Sequence, residues 1–259
     1  MLKGPLNLAK SRVLLANDDG IDAPGLKLLE KILRPLVKDL WIAAPRDEQS
    51  GTGHSLTLRR PLRIIRKGRQ KFAIDGTPTD AMMLAINHIL RDSPPDLVLS
   101  GINRGGNLGE DVTYSGTIAA AMEGTLLGVP SIALSLVING KKAHWPTAEK
   151  YLPLVLDKIT RTDWPDNVLM NVNFPDVTAD RVKGVMATQQ GRRKLGDELM
   201  VGHDPRGEPY YWIGSMRTEE PTMKGSDLAA VEAGMISVTP IHLDLTHRSF
   251  LKTLRTVLN

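Results

Sequence analysis

Apolar runs of strand length alternate with stretches of helical periodicity along most of this chain, and no other feature constrains its fold as strongly. Residues 12–16 (RVLLA) are the first such run, after which Leu26, Leu29, Leu33 and Leu36 recur at helical spacing. A second strand at 40–44 stops at Pro45, and the short β-like runs 56–59, 62–66 and 72–74 can pair as a hairpin. Thr77-Pro78 reads as a cap followed by proline at the first helical position, ahead of the apolar face Met82, Met83, Ile86, Ile89 and Leu90. A strand at 96–99, a helix from about Thr117, a strand at 131–137, a helical pattern at 148–159 and a strand at 168–174 continue the series. Strands joined through helices run parallel, so the expected fold is α/β, a mostly parallel sheet flanked by helices.

The regularity fails between residues 189 and 225, where charge, Gly and Pro surround the aromatic cluster Tyr210-Tyr211-Trp212. A structureless loop of that length is unusual inside a compact domain, so this segment is expected to be a projecting arm or hairpin that packs on another subunit. A helical turn at 227–232 and a strand at 235–240 follow, which makes 1–259 one α/β domain carrying an arm. The chain has no Cys, so disulfides, a thiolate nucleophile and a thiolate metal site are excluded. No apolar run reaches the length of a membrane span and MLKGPLNLAK lacks the apolar core of a signal peptide, so no membrane partner and a cytoplasmic location are expected. Net charge is only +4 and aromatic residues make up 4% of the chain, too few for a base-stacking surface, so polynucleotide binding is not the expected main function.

In open α/β sheets ligands gather beyond the carboxyl ends of the strands, and three loops there are unusually polar. The first holds Asn17-Asp18-Asp19-Gly20. Successive side chains of a strand point to opposite faces, so both Asp reach one ligand only if the chain turns at once, as Gly20 permits. Two adjacent carboxylates repel, and a hard cation such as Mg²⁺ or Mn²⁺ relieves that repulsion. A plain capping role is the competing reading, although Asp22, just ahead of Ala23-Pro24, is the better capping candidate. The second loop, 49–55, offers hydroxyls, backbone N–H groups and His54; the alternative is a simple surface loop. The third, 100–109, runs through Tyr114-Ser115-Gly116-Thr117 into a helix whose N-terminus suits a phosphate, or is merely capped by Ser115 or Thr117. Phosphate-loop, dinucleotide-fingerprint, serine-elbow and His-Glu zinc motifs are all missing, and His88 is read as structural.

The strings LLANDDGIDAPGL, APRDEQSGTGHSLTL, GTPTDAMML, SGINRGGNLGEDVTYSGTIAAAMEG and VTPIHLDLT, in that order and spacing, resemble the survival protein SurE family over most of the chain. That resemblance implies a Rossmann-like fold and a metal-dependent 5′/3′-nucleotidase that releases phosphate from nucleoside monophosphates, sometimes from short polyphosphate, and usually a homodimer or homotetramer. It implies one divalent cation per subunit, Mg²⁺ or Mn²⁺, with Asp18, Asp19, Ser50 and Asn103 as ligands and Asp18 and Asp19 as the catalytic pair. Asn107, Ser115, Gly116 and Thr117 fall where the family surrounds the substrate phosphate. Arg104-Gly105-Gly106 departs from the Ala-Gly-Pro of many relatives and adds a guanidinium beside the site. Two other readings compete. One uses Asp18 as a covalent nucleophile, but that chemistry wants a second Asp two residues on, where Gly20 stands. The other is a nucleotide or RNA binding module without turnover, supported only by the basic balance.

Overall fold

The computed structural model describes residues 5–140, 142–195, 199–213, 217–219 and 223–258. In chain order it holds β1 (Arg12–Ala16), α1 (Pro24–Leu33), β2 (Asp39–Pro45), β3 (Ile64–Arg66), β4 (Lys71–Ile74), α2 (Pro78–Leu84), β5 (Leu97–Arg104), α3 (Gly116–Leu126), β6 (Ser131–Leu136), α4 (Trp145–Ile159) and β7 (Val168–Phe174). There follow β8 (Val185–Ala187), β9 (Arg193–Leu195), β10 (Leu199–His203), β11 (Pro209–Ile213), β12 (Arg217–Glu219), α5 (Asp227–Glu232), β13 (Ile236–His242) and α6 (Arg248–Leu258). A short 3₁₀ helix at Gly109–Thr113 precedes α3.

Nine strands form one sheet in the order β3-β4-β2-β1-β5-β6-β7-β13-β8, a Rossmann-like arrangement. All pairs are parallel except β3 with β4 and β7 with β13. After Arg12, residues 13–16 of β1 (VLLA) are apolar and buried because both faces of the strand are covered. Val13 and Leu15 join Leu26, Leu29 and Leu33 of α1 and Leu152 and Leu156 of α4 in one core. Leu14 and Ala16 join Met82 of α2 and Ala120 of α3 in the other. Each fully buried leucine is worth about 1.5–3 kcal/mol of transfer free energy, so the two layers hold the central strands rigidly.

Register aligns the ends that matter. Ala16 lies beside Ser100, Ser100 beside Ala133, and Ala133 beside Asn171. The loops that leave β1, β5, β6 and β7 therefore emerge side by side at one edge of the sheet. Thr77 caps α2 as expected, in a reciprocal box with Asp80. Asp80 also accepts the Thr57 N–H at 3.0 Å, which pins the end of the loop after β2.

Several local expectations are revised. Residues 56–59 form no strand; only β3 and β4 pair. The strand expected at 96–99 runs on to Arg104 past an irregularity between Ser100 and Asn103. Ala23, not Asp22, takes the extended N-cap position of α1, and its methyl offers no acceptor, so the helix has no side-chain cap; Pro24 follows at the first helical position. Asp22 is exposed, 4.0 Å from Lys27 Nζ. His88 is exposed on a π turn rather than packed. The arm comprises two antiparallel ladders, β9 with β12 and β10 with β11. In the outer ladder Leu199, Met200, Val201, Tyr210, Tyr211, Trp212 and Ile213 are all exposed. The helix α6 and the short strand β8 carried no recognised sequence signal. No helix among the described residues is long and apolar enough to cross a membrane.

Candidate active site

At the edge where the strand ends align, a cavity of about 520 Å³ is lined by Asp18, Asp19, Ser50, Asn103, Asn107 and Ser115. The chain turns directly after β1, with Gly20 at φ +99° and the Asn17 amide donating to Gly20 O at 2.8 Å, so both Asp side chains line the same space. The loop after β2 is held beside them. Gln49 N–H donates to Asp18 O at 2.8 Å and Gly53 N–H to Tyr114 O at 3.2 Å, so this loop bridges the first and third polar segments. His54 reinforces the bridge through a 2.8 Å contact with Glu123 of α3.

Asp18 is only 4% exposed. Burial, opposed by hydrogen bonding from Thr117 and reinforced by the neighbouring Asp19 charge, pushes its carboxyl up from 3.8 to about 6. The Thr117 hydroxyl donates to Asp18 Oδ1. Gly116 must be Gly for close approach: a Cβ there would lie 2.6 Å from Asp18 Cβ and 2.9 Å from Oδ2. Asp19, half-buried, is also raised, first by burial and then by Glu48, against the Arg104 N–H and guanidinium. Two carboxylates that both resist ionisation in one cavity form a site short of positive charge.

The donors suit a hard cation. Among the described residues no group of three or more His, Cys, Asp or Glu could hold a metal ion, so a cation here would need neutral oxygens beside the two carboxylates. Asn103 supplies one: its Nδ2 donates to Gly105 O at 3.0 Å, which leaves Oδ1 free. Ser50 is exposed, and its hydroxyl donates to Glu48 at 2.9 Å with lone pairs to spare.

Of the four residues expected around a phosphate, Asn107 and Ser115 line the cavity, while Gly116 and Thr117 are buried behind Ser115 in the first turn of α3. Ser115 caps α3, accepting the Ile118 N–H at 3.1 Å. Gly116, at the first helical position, has no preceding turn to take its N–H. Thr117 is fully buried with its hydroxyl committed to Asp18, so it holds the carboxylate and does not face the cavity. Asn107 is clamped by a buried polar network. Asn171 and Asn173 donate to its carbonyl at 2.8 and 3.1 Å, Asn173 Oδ1 accepts its N–H at 2.9 Å, and its own Nδ2 donates to Ser135 Oγ at 2.7 Å. Glu48, Asp111 and Trp145, which the sequence does not single out, also line the cavity, as does Tyr114 of the third polar loop. Glu48 stood within a string that was read, whereas Trp145 reaches the site only because α4 begins there.

A family described as Survival protein SurE matches residues 13–197. The 5′-nucleotidase SurE of Paramagnetospirillum magneticum is 56% identical over 246 residues, covering 95% of each chain. The 5′-nucleotidase SurE of Caulobacter vibrioides is 49% identical over 252 residues, covering 95% of this chain and 96% of its own. Among solved structures, the SurE protein of Aquifex aeolicus superposes with a TM-score of 0.83 at 38% identity, covering 96% of this chain and all of the other.

Proposed function

Since the chain belongs to the survival protein SurE family, we propose that it hydrolyses nucleoside 5′- and 3′-monophosphates to nucleoside and phosphate, and also short-chain polyphosphate. The observation that carries this reading is the pair of carboxylates, buried Asp18 pushed up to about 6 and half-buried Asp19 raised, in one cavity with the free end of Asn103 and the N-terminus of α3. One divalent cation per subunit, Mg²⁺ or Mn²⁺, fits Asp18, Asp19, Ser50 and Asn103. When bound, such an ion neutralises phosphoryl charge and lowers the pKa of water.

The chain's own groups do the rest. Ser115 Oγ and the Gly116 N–H, at the positive end of α3, hold phosphate oxygens. Asn107 joins them by a half-turn of its amide: Ser135 then donates to Oδ1, and Nδ2 faces the cavity as a donor. Thr117 keeps Asp18 in place. Water attacks phosphorus in line as the P–O ester bond breaks; the alcohol oxygen leaves with a proton from solvent. Asp19, which no side-chain donor holds among the described residues, takes the proton released by the attacking water. The reading includes a homodimer or homotetramer built through the arm, supported by the seven exposed apolar side chains of its outer ladder, and a cytoplasmic location.

Phosphate release from a panel of nucleoside 5′- and 3′-monophosphates, with EDTA or with added Mg²⁺ or Mn²⁺, tests the proposal against Asp18→Asn. Release that needs the cation and is lost in the variant supports it. Release indifferent to both EDTA and Asp18→Asn overturns it.

A further inference from the structure

We infer that Arg104 is a specificity-determining residue whose guanidinium holds a second phosphate on the ribose of the substrate, so that the chain also hydrolyses nucleoside 3′,5′-bisphosphates; this rests on the phosphomonoesterase reading proposed above. Arg104 ends β5, beside Asn103 and in register with Leu136 of β6, and the next N–H, of Gly105, donates to Leu136 O at 3.0 Å. The sheet therefore fixes its backbone at the cavity edge, where the Arg104 N–H also serves Asp19. The side chain is not fixed in the same way. It is exposed and lines the cavity, and its guanidinium makes no hydrogen bond or ion pair among the described residues, touching Asp19 only through the field of its charge. Of the described residues lining this cavity, four are acidic and Arg104 alone is basic. A guanidinium that served only to offset those acids would fork onto one of them, since that bidentate geometry is its strongest contact.

The free fork is surplus to a single phosphate. The group under attack has its own donors in Ser115, the Gly116 N–H and Asn107, besides the cation. The cavity, about 520 Å³, is larger than one phosphate needs, and Ala23, Pro24, Tyr114 and Trp145 give it an apolar wall suited to a nucleoside. An inorganic phosphate chain has no apolar face to set against that wall, whereas a nucleotide does. A nucleoside 3′,5′-bisphosphate keeps the bond type of the proposed reaction, because both of its phosphates are monoesters. Water attacks one phosphorus, that P–O ester bond breaks, and the ribose oxygen leaves with a proton, giving a nucleoside monophosphate and inorganic phosphate. The other phosphate stays unreacted on Arg104. Because that contact is the same before and during attack, it acts on KM and not on kcat.

The test compares wild type, Arg104→Gln and Arg104→Lys in the full chain with Mg²⁺ or Mn²⁺. The ratio of kcat/KM for adenosine 3′,5′-bisphosphate to that for adenosine 5′-monophosphate should exceed one in wild type. In Arg104→Gln that ratio should fall about 20-fold, through KM, as expected for one charge-assisted bidentate contact. Arg104→Lys, which keeps the charge but not the fork, should recover part of it. Calorimetry repeats the comparison with analogues of both nucleotides in which methylene replaces the ester oxygens, so that nothing is cleaved. A wild type that prefers the monophosphate, or a ratio that Arg104→Gln leaves unmoved, overturns the inference. So does a loss confined to adenosine 5′-diphosphate and tripolyphosphate, which would assign the guanidinium to a phosphate chain. The analogues need no turnover, so a protein that hydrolyses no nucleotide would sink the proposed activity and still report on Arg104.

Discussion

Replacing Asp18 by Asn should stabilise the metal-free protein near neutral pH and do so less in acid. The direction follows from the raised carboxyl. A carboxylate held at about 6 in the fold and near the ordinary 3.8 when unfolded is protonated in both states at low pH, where it costs nothing. As pH rises through that interval the unfolded chain ionises first, and the folded state loses stability relative to it until the pH passes the folded value. At about pH 7.5 the cost is about 3 kcal/mol, and at about pH 4.5 it is about 1 kcal/mol. Asn has the same shape, can still accept the Thr117 hydroxyl, and does not titrate. The gap between variant and wild type should therefore open by about 2 kcal/mol between those two pH values.

Urea unfolding of both proteins in EDTA at the two pH values measures that gap. Added Mg²⁺ or Mn²⁺ should then reverse the order at the higher pH, because an ion that binds only the folded wild type stabilises it by mass action and the variant has lost a ligand. A stability difference that does not change with pH would refute the reasoning, since the buried charge would then be compensated by some group other than a bound cation. Equal stabilisation of both proteins by the metal would break the link between Asp18 and the cation.

Gly116→Ala would push a methyl to within 2.6 Å of Asp18 Cβ, and a displacement of that carboxylate by about 1 Å should lower kcat about 100-fold in a steady-state assay while the protein still folds. Thr117→Val removes the hydrogen bond that lowers the Asp18 carboxyl; the acid limb of metal binding, followed by calorimetry across pH, should move upward by about one unit, and an unmoved limb would deny Thr117 its role. Replacing residues 199–213 by a short turn deletes the exposed apolar ladder, and light scattering should report a smaller assembly; an unchanged mass would refute assembly through the arm.

Much of the architecture was legible because both signals used to find it are local. Burial on both faces makes residues 13–16 of β1 continuously apolar, and the leucines of α1 repeat at helical spacing, so strand and helix separate within a few residues. The polar loops at the strand ends were legible for the same reason, and Asp18, Asp19, Ser50, Asn103, Asn107 and Ser115 do line one cavity. Partner choice was not legible. The Thr117 hydroxyl meets Asp18 from 99 residues away, and Arg193 meets Asp111 across 82; periodicity says which face a residue occupies and nothing about which distant residue shares it.

One long-range partnership nevertheless left a local trace. Asn171 and Asn173 lie two apart in β7, hence on one face, and both are fully buried in an otherwise apolar strand. Buried amides are retained where they are hydrogen-bonded, so a same-face pair of them in a central strand calls for a polar partner beyond the sheet. That partner is the peptide of Asn107, which both amides hold. A sequence that reads NVNF within a buried run thus points to a backbone segment being fixed there, and in this fold the segment so fixed is the one that carries an amide into the cavity.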